Sequence, residues 1–166
     1  MNKTTQKTVF LGVFAALAMV FSYIEVLIPP IYSGIPGIKM GLPNIVIIFI
    51  LYRFGVKEAA IVSGVRILLT ALLFGNFVTL AYSTAGALLS LSLMALTKRL
   101  GWFSTVGVSV IGGVSHNLGQ ILVAIFLLDT LQIGYYMIVL TITGTIAGVL
   151  VGIVGSLSLK YINQSR

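Results

Sequence analysis

Three polar side chains, His116, Asn117 and Gln120, lie within IGGVSHNLGQILVA (residues 111–124), a stretch otherwise suited to hydrocarbon. His116 is the chain's one histidine. On a helix Gln120 falls four residues after His116 and three after Asn117, so the three share a broad face. Gly112, Gly113 and Gly119 lie beside it and leave room for a close approach, whether by another helix or by a ligand. Imidazole and amide groups donate and accept hydrogen bonds. The plain alternative is a cluster of interhelical hydrogen bonds, each worth only about 0.6 kcal/mol in a membrane.

A second group adds charge. Arg66 stands nine residues beyond Lys57, roughly 13 Å along a helix at about 1.5 Å per residue, near the middle of a hydrocarbon core about 30 Å thick. A central arginine costs about 2.5–3.5 kcal/mol even on the lenient insertion scale, so it should face the protein interior and find a partner. The three acids are Glu25, Glu58 and Asp129. Either Glu25 leans towards Arg66 as a structural ion pair, or the partner is an anionic ligand, with Lys39 as a second cation. Asn44, Asn76, Thr79 and Tyr82 add polar groups at central or outer depth. A pocket built from them would open outward.

The elements that must position these groups follow from composition. Of 166 residues, 58% are hydrophobic and 8% charged, and the mean hydropathy is +1.14. That balance belongs to an integral membrane protein. At about 20 apolar residues per spanning helix, the chain holds about six spans and no soluble catalytic domain. The absence of Cys excludes disulfides and thiolate chemistry. One His and three acids leave little for a metal, and no P-loop, GxSxG, HExxH or acidic prenyl-synthase cluster is present. No catalytic residue, metal or cofactor is expected, and the net charge of +7 reads as a topology signal rather than a nucleic-acid footprint.

Apolar runs predict one integral membrane domain over 1–166, with spans near 8–28, 42–54, 59–74, 79–97, 103–128 and 132–158. The first run is too long for a signal-peptide core and is read as an uncleaved helix. An even number of spans puts both termini on one side. With that side cytoplasmic, Lys3, Lys7, Arg53, Lys57, Lys98, Arg99, Lys160 and Arg166 lie inside and only Lys39 outside. The positive-inside rule therefore places both termini in the cytoplasm. The longest outer loop, PPIYSGIPGIKMGLP (29–43), holds all four Pro and reads as a lid over the outer face. In the sixth span Gly144, Gly148, Gly152 and Ser156 recur at every fourth position, a small-residue groove expected to serve internal packing. The first span has a shorter version in Gly12 and Ala16, with Ala15 and Ala18 beside them, expected to dock another subunit.

Together PGIKMGLPNIV (36–46), RILLTALLFGNF (66–77), YSTAGALLSLSLMAL (82–96) and GVSVIGGVSHNLGQILVA (107–124) resemble the Gx transporter family, often labelled heptaprenyl diphosphate synthase component I. The resemblance covers the second through fifth spans. That family is similar in turn to the substrate-binding S components of energy-coupling factor transporters, six-helix bundles that bind a vitamin or related small molecule from outside. The resemblance implies an all-α, S-component-like bundle of six transmembrane helices in the cell membrane. Residues 29–43 would cap the ligand, while Gly12, Ala15 and Ala16 would dock a transmembrane coupling subunit driven by partner ATPases. The candidate ligand-binding set is then Lys39, Asn44, Arg66, Tyr82, His116, Asn117 and Gln120. The ligand would be a small anionic or amphipathic molecule such as a flavin or an isoprenoid or quinone precursor. The family's enzyme label fits the residues poorly, because prenyl elongation needs clustered Asp to hold magnesium on a diphosphate and the sole Asp is Asp129. The alternative is a membrane anchor or accessory subunit of a polyprenyl diphosphate synthase or a redox system.

Overall fold

A computed structural model describes residues 2–27 and 41–164. The described residues are almost entirely helical: α1 (Lys3–Leu27), α2 (Asn44–Arg53), α3 (Val56–Phe74), α4 (Phe77–Leu100), α5 (Thr105–Leu128), a 3-10 turn (Leu131–Tyr136) and α6 (Met137–Gln164). Most of the expected lid, including Lys39, falls outside the described residues.

Helix boundaries follow local chemistry. Asn76 and Thr79 form a reciprocal capping box at the start of α4, with Thr79 N–H donating to Asn76 Oδ1 at 2.9 Å and Asn76 N–H to Thr79 Oγ1 at 2.8 Å. This overturns their expected place in a pocket: Asn76 is exposed, and both side chains satisfy amides that the first turn would otherwise leave open. Gly101 closes α4 at φ 72°, where a side chain would be strained. Ser104 then caps α5 by accepting from Gly107 N–H at 3.2 Å.

Among the described residues, four segments are long and apolar enough to cross a membrane: Thr4–Leu27, Phe77–Leu100, Thr105–Leu128 and Leu131–Tyr161. The protein is therefore an all-helical, multi-pass membrane protein. The two short runs expected between 42 and 74 differ in kind. Helix α2 has 10 residues, about 15 Å at about 1.5 Å per residue, and α3 has 19 but carries Lys57, Glu58 and Arg66.

Helix α5 packs between α4 and α6, while α1 leans on α3 and α2 fits mainly against α6 and α3. Glycines set the α5–α6 distance. A Cβ at Gly148 would lie 2.6 Å from Val110 Cα, one at Gly152 2.6 Å from Val106 Cα, and Gly144 meets the backbone of Gly113. The small-residue groove of the sixth span is thus filled by α5, as its spacing predicted. Beside it, Ile47, Ile48, Ile50 and Leu51 of α2 are fully buried with Val62, Met94 and Val108 in the apolar core.

Candidate functional site: a buried polar centre

On α1, Ser22 and Glu25 are one helical turn apart and both buried, although most residues around them are exposed. Opposite stands Arg66 of α3, 5% exposed. Its Nη1 donates to Ser22 Oγ at 3.2 Å, and its Nε has no hydrogen-bond partner. The Glu25 carboxylate is turned to the chain entering α2, where it accepts from Gly41 N–H and, at 3.2 Å, from Leu42 N–H. Its charge reaches the Arg66 guanidinium through space, with no ion-pair contact between these two groups. Among the described residues the expected structural pair between Glu25 and Arg66 therefore takes a looser form: the carboxylate accepts from the Gly41 and Leu42 amides while the guanidinium donates to Ser22.

Gly41 links this side to α5. It occupies a left-handed conformation at φ +84°, and a Cβ there would lie 3.0 Å from Asn44 Nδ2 and 3.7 Å from His116 Cδ2. His116 is buried; its ring packs on Gly86 of α4, where a Cβ would lie 2.8 Å from Cε1. One turn along, Gln120 Nε2 lies 3.3 Å from His116 Nε2. Arg66, Ser22, Glu25, Asn44, His116 and Gln120 are thus joined around the Gly41 turn. Sequence reading did not single out Ser22, Gly41 and Gly86 as site residues. The usable signal for Ser22 was its spacing of three from Glu25; the two glycines gave none.

Other candidates lie elsewhere. The face expected to carry His116, Asn117 and Gln120 divides, because Asn117 turns to α6 and donates to the Leu140 carbonyl at 2.7 Å. Its Oδ1 is buried without a hydrogen-bond partner. Asn44 also borders a cleft lined by Ser109, Gly113 and Gly148, whose volume of about 10 Å³ is at the limit for a single water. Tyr82 is buried among Ala124 and Ile133 and packs with Tyr136, one helical turn before Gly86. On α1, Gly12 and Ala16 are exposed, and a Cβ at Gly12 would meet open space; Ala15 belongs to the core.

Arg66 offers a positive charge that the Glu25 carboxylate reaches only through space, and Ser22, Asn44, His116 and Gln120 add hydrogen-bonding groups in apolar surroundings. Groups of this kind can neutralise and orient an anion. Long apolar helices around such a centre define a multi-pass membrane protein with a polar interior. The chain matches the family described as heptaprenyl diphosphate synthase component I over residues 14–158, and it belongs to that family. No curated protein matches it, and no solved structure does. The family name speaks of one component of a synthase and so implies a partner component.

Proposed function

We propose that the protein is the substrate-binding membrane subunit of a small-molecule transporter, built like an S component. Its ligand is anionic or amphipathic, of the size and polarity of a flavin or an isoprenoid or quinone precursor. The observation that carries this reading is Arg66: a buried guanidinium that has no contact ion pair among the described residues, and whose Nε has no partner there. A cation buried in apolar surroundings is costly unless an anion offsets it, and Glu25 does so only from a distance. His116, Gln120 and Asn44 provide hydrogen bonds around the same turn; Lys39, Tyr82 and Asn117 complete the proposed set.

In this reading all six α-helices cross the bilayer with both termini cytoplasmic, α2 doing so with the turns at its ends. The asymmetry of Lys and Arg supports the orientation. The exposed Gly12 and Ala16 dock an energy-coupling subunit, with Ala15 packing beneath them, and ATPases supply the driving force. Replacement of Gly12 by Leu is expected to abolish co-purification of that subunit while ligand binding survives.

The decisive measurement is mass spectrometry of small molecules released from detergent-purified protein. An anionic compound should accompany the wild type. Arg66→Gln should retain it about 10–100-fold less well, the worth of a hydrogen bond to a charged group, with thermal unfolding little changed. A membrane anchor or accessory subunit of a polyprenyl diphosphate synthase or redox system is the second reading, favoured by the partner that the family name implies. It predicts a co-purified protein and no bound small molecule in either form.

A further inference from the structure

Helices α3 and α4 are joined less closely than α5 is to its neighbours, and two grooves run along their outer side. At the basic end a groove of about 510 Å³ is lined by Val56, Ala95, Leu96, Lys98 and Arg99. Further along, one of about 230 Å³ is lined by residues that include Ala60, Gly64, Leu88 and Leu91. Val56 and Ala60 are one turn apart on α3, as are Ala95 and Leu91 on α4, so the grooves lie on one stripe of each helix. The floor is made of small and apolar residues, and a Cβ at Gly64 would meet nothing within 4 Å.

Charge is concentrated at one end of this seam. Lys98 is fixed in the wall: its ammonium donates to the Leu51 carbonyl at 2.5 Å and lies 4.8 Å above the Tyr52 ring. Arg99 is exposed beside it, and Lys57 adjoins Val56. The acid at this end, Glu58, is engaged by Lys7. Trp102, 78% exposed, follows Arg99 after one turn of chain, the position of an aromatic residue at the level of lipid headgroups.

We infer that the α3–α4 seam binds an anionic phospholipid, with its phosphate at Arg99 and Lys98 and one acyl chain lying over Ala60 and Gly64. From Val56 to Leu68 the seam rises roughly 18 Å at about 1.5 Å per residue, enough to carry a chain through one leaflet of a core about 30 Å thick. A basic mouth selects the headgroup, and the small-residue floor admits the chain without distorting either helix.

Delipidated protein in mild detergent, titrated with phosphatidylglycerol or phosphatidylcholine and read by native mass spectrometry, tests this. The wild type should retain the anionic lipid about fivefold better, the worth of one basic side chain near a membrane surface. Arg99→Gln should remove that preference. Gly64→Leu should lower retention of both lipids by filling the seam. Thermal unfolding is followed in parallel, and Ala60→Leu supplies the same block if Gly64→Leu proves unstable. Equal retention of the two lipids by the wild type overturns the inference. So does displacement of phosphatidylglycerol by inorganic phosphate alone, which would make the mouth a site for a free anion.

Discussion

Glycine does opposite work at two of the long seams of this molecule. Between α5 and α6, backbones touch: Gly113 faces Gly144, and Gly148 sits on Val110. Between α3 and α4, Gly64 faces open space. Lipid tails are as apolar as Leu side chains, so helices in a membrane gain little by hiding apolar surface and much by close packing. The α5–α6 seam uses that gain. The α3–α4 seam forgoes it, and the phospholipid inferred above would complete that surface.

Adding the same side chain at both seams breaks the comparison most sharply. Gly148→Leu drives several heavy atoms into the backbone of Val110, and overpacking typically costs about 1–3 kcal/mol or more where the neighbour cannot move. Here the neighbour is backbone, so a loss at the upper end of that range is expected in thermal or denaturant unfolding. Gly64→Leu should stay within about 0.5 kcal/mol of wild type, as changes at uncommitted surface do. Equal losses at the two sites would mean that the α3–α4 seam is closed in the membrane.

The same contrast explains what could be read from the sequence. Repeated small residues in TITGTIAGVLVGIVGSLSLK announced a packing groove, because a period of four residues marks one helical face. Hydropathy and the basic breaks marked apolar runs near 42–54 and 59–74, and the helices α2 and α3 occupy those stretches. The site was less legible. His116, Asn117 and Gln120 read as one face, yet the face is broad enough for adjacent residues to serve different neighbours, α4 for His116 and α6 for Asn117. Asn76 and Thr79 carry the same chemistry as pocket residues, and only their position at a helix start made them caps. Ser22 is ordinary in type; its role as the partner of Arg66 depends on the packing of α1 on α3, which no local pattern encodes.

A second test is smaller and asks what holds the polar centre. Glu25 accepts two backbone amides, and its charge acts on Arg66 from a distance. Glu25→Gln keeps a carbonyl oxygen that can accept from Gly41 and Leu42. If anchoring that turn is the carboxylate's main task, the loss should be about 1–2 kcal/mol, the difference between a charged and a neutral hydrogen bond. A loss of about 3–5 kcal/mol, the range for breaking a buried ion pair, restored by adding Arg66→Gln, would instead establish a structural pair and remove the main support for an anionic ligand. Chemical denaturation of the single and double variants separates the two outcomes.

The smallest expected effect lies at the basic edge, where Lys7 of α1 meets Glu58 in the first turn of α3. The hydrogen bond from Lys7 is the largest influence holding the Glu58 carboxyl below its ordinary value of 4.5, with a backbone hydrogen bond next and burial opposing them. A carboxyl whose folded value is depressed binds fewer protons in the folded than in the unfolded state over that interval. Its contribution is therefore fully present above the unfolded value and fades as pH falls through the folded one. Both groups lie at the surface, so the contribution is small and weakened by salt. The wild type should lose more thermal stability than Glu58→Gln between about pH 6 and about pH 3, since the variant no longer has that proton to take up. Every other group is common to both proteins, so the difference between the two curves isolates this contact. Identical curves would show that the α1–α3 packing behind Arg66 does not depend on the surface pair and rests on the buried contacts alone.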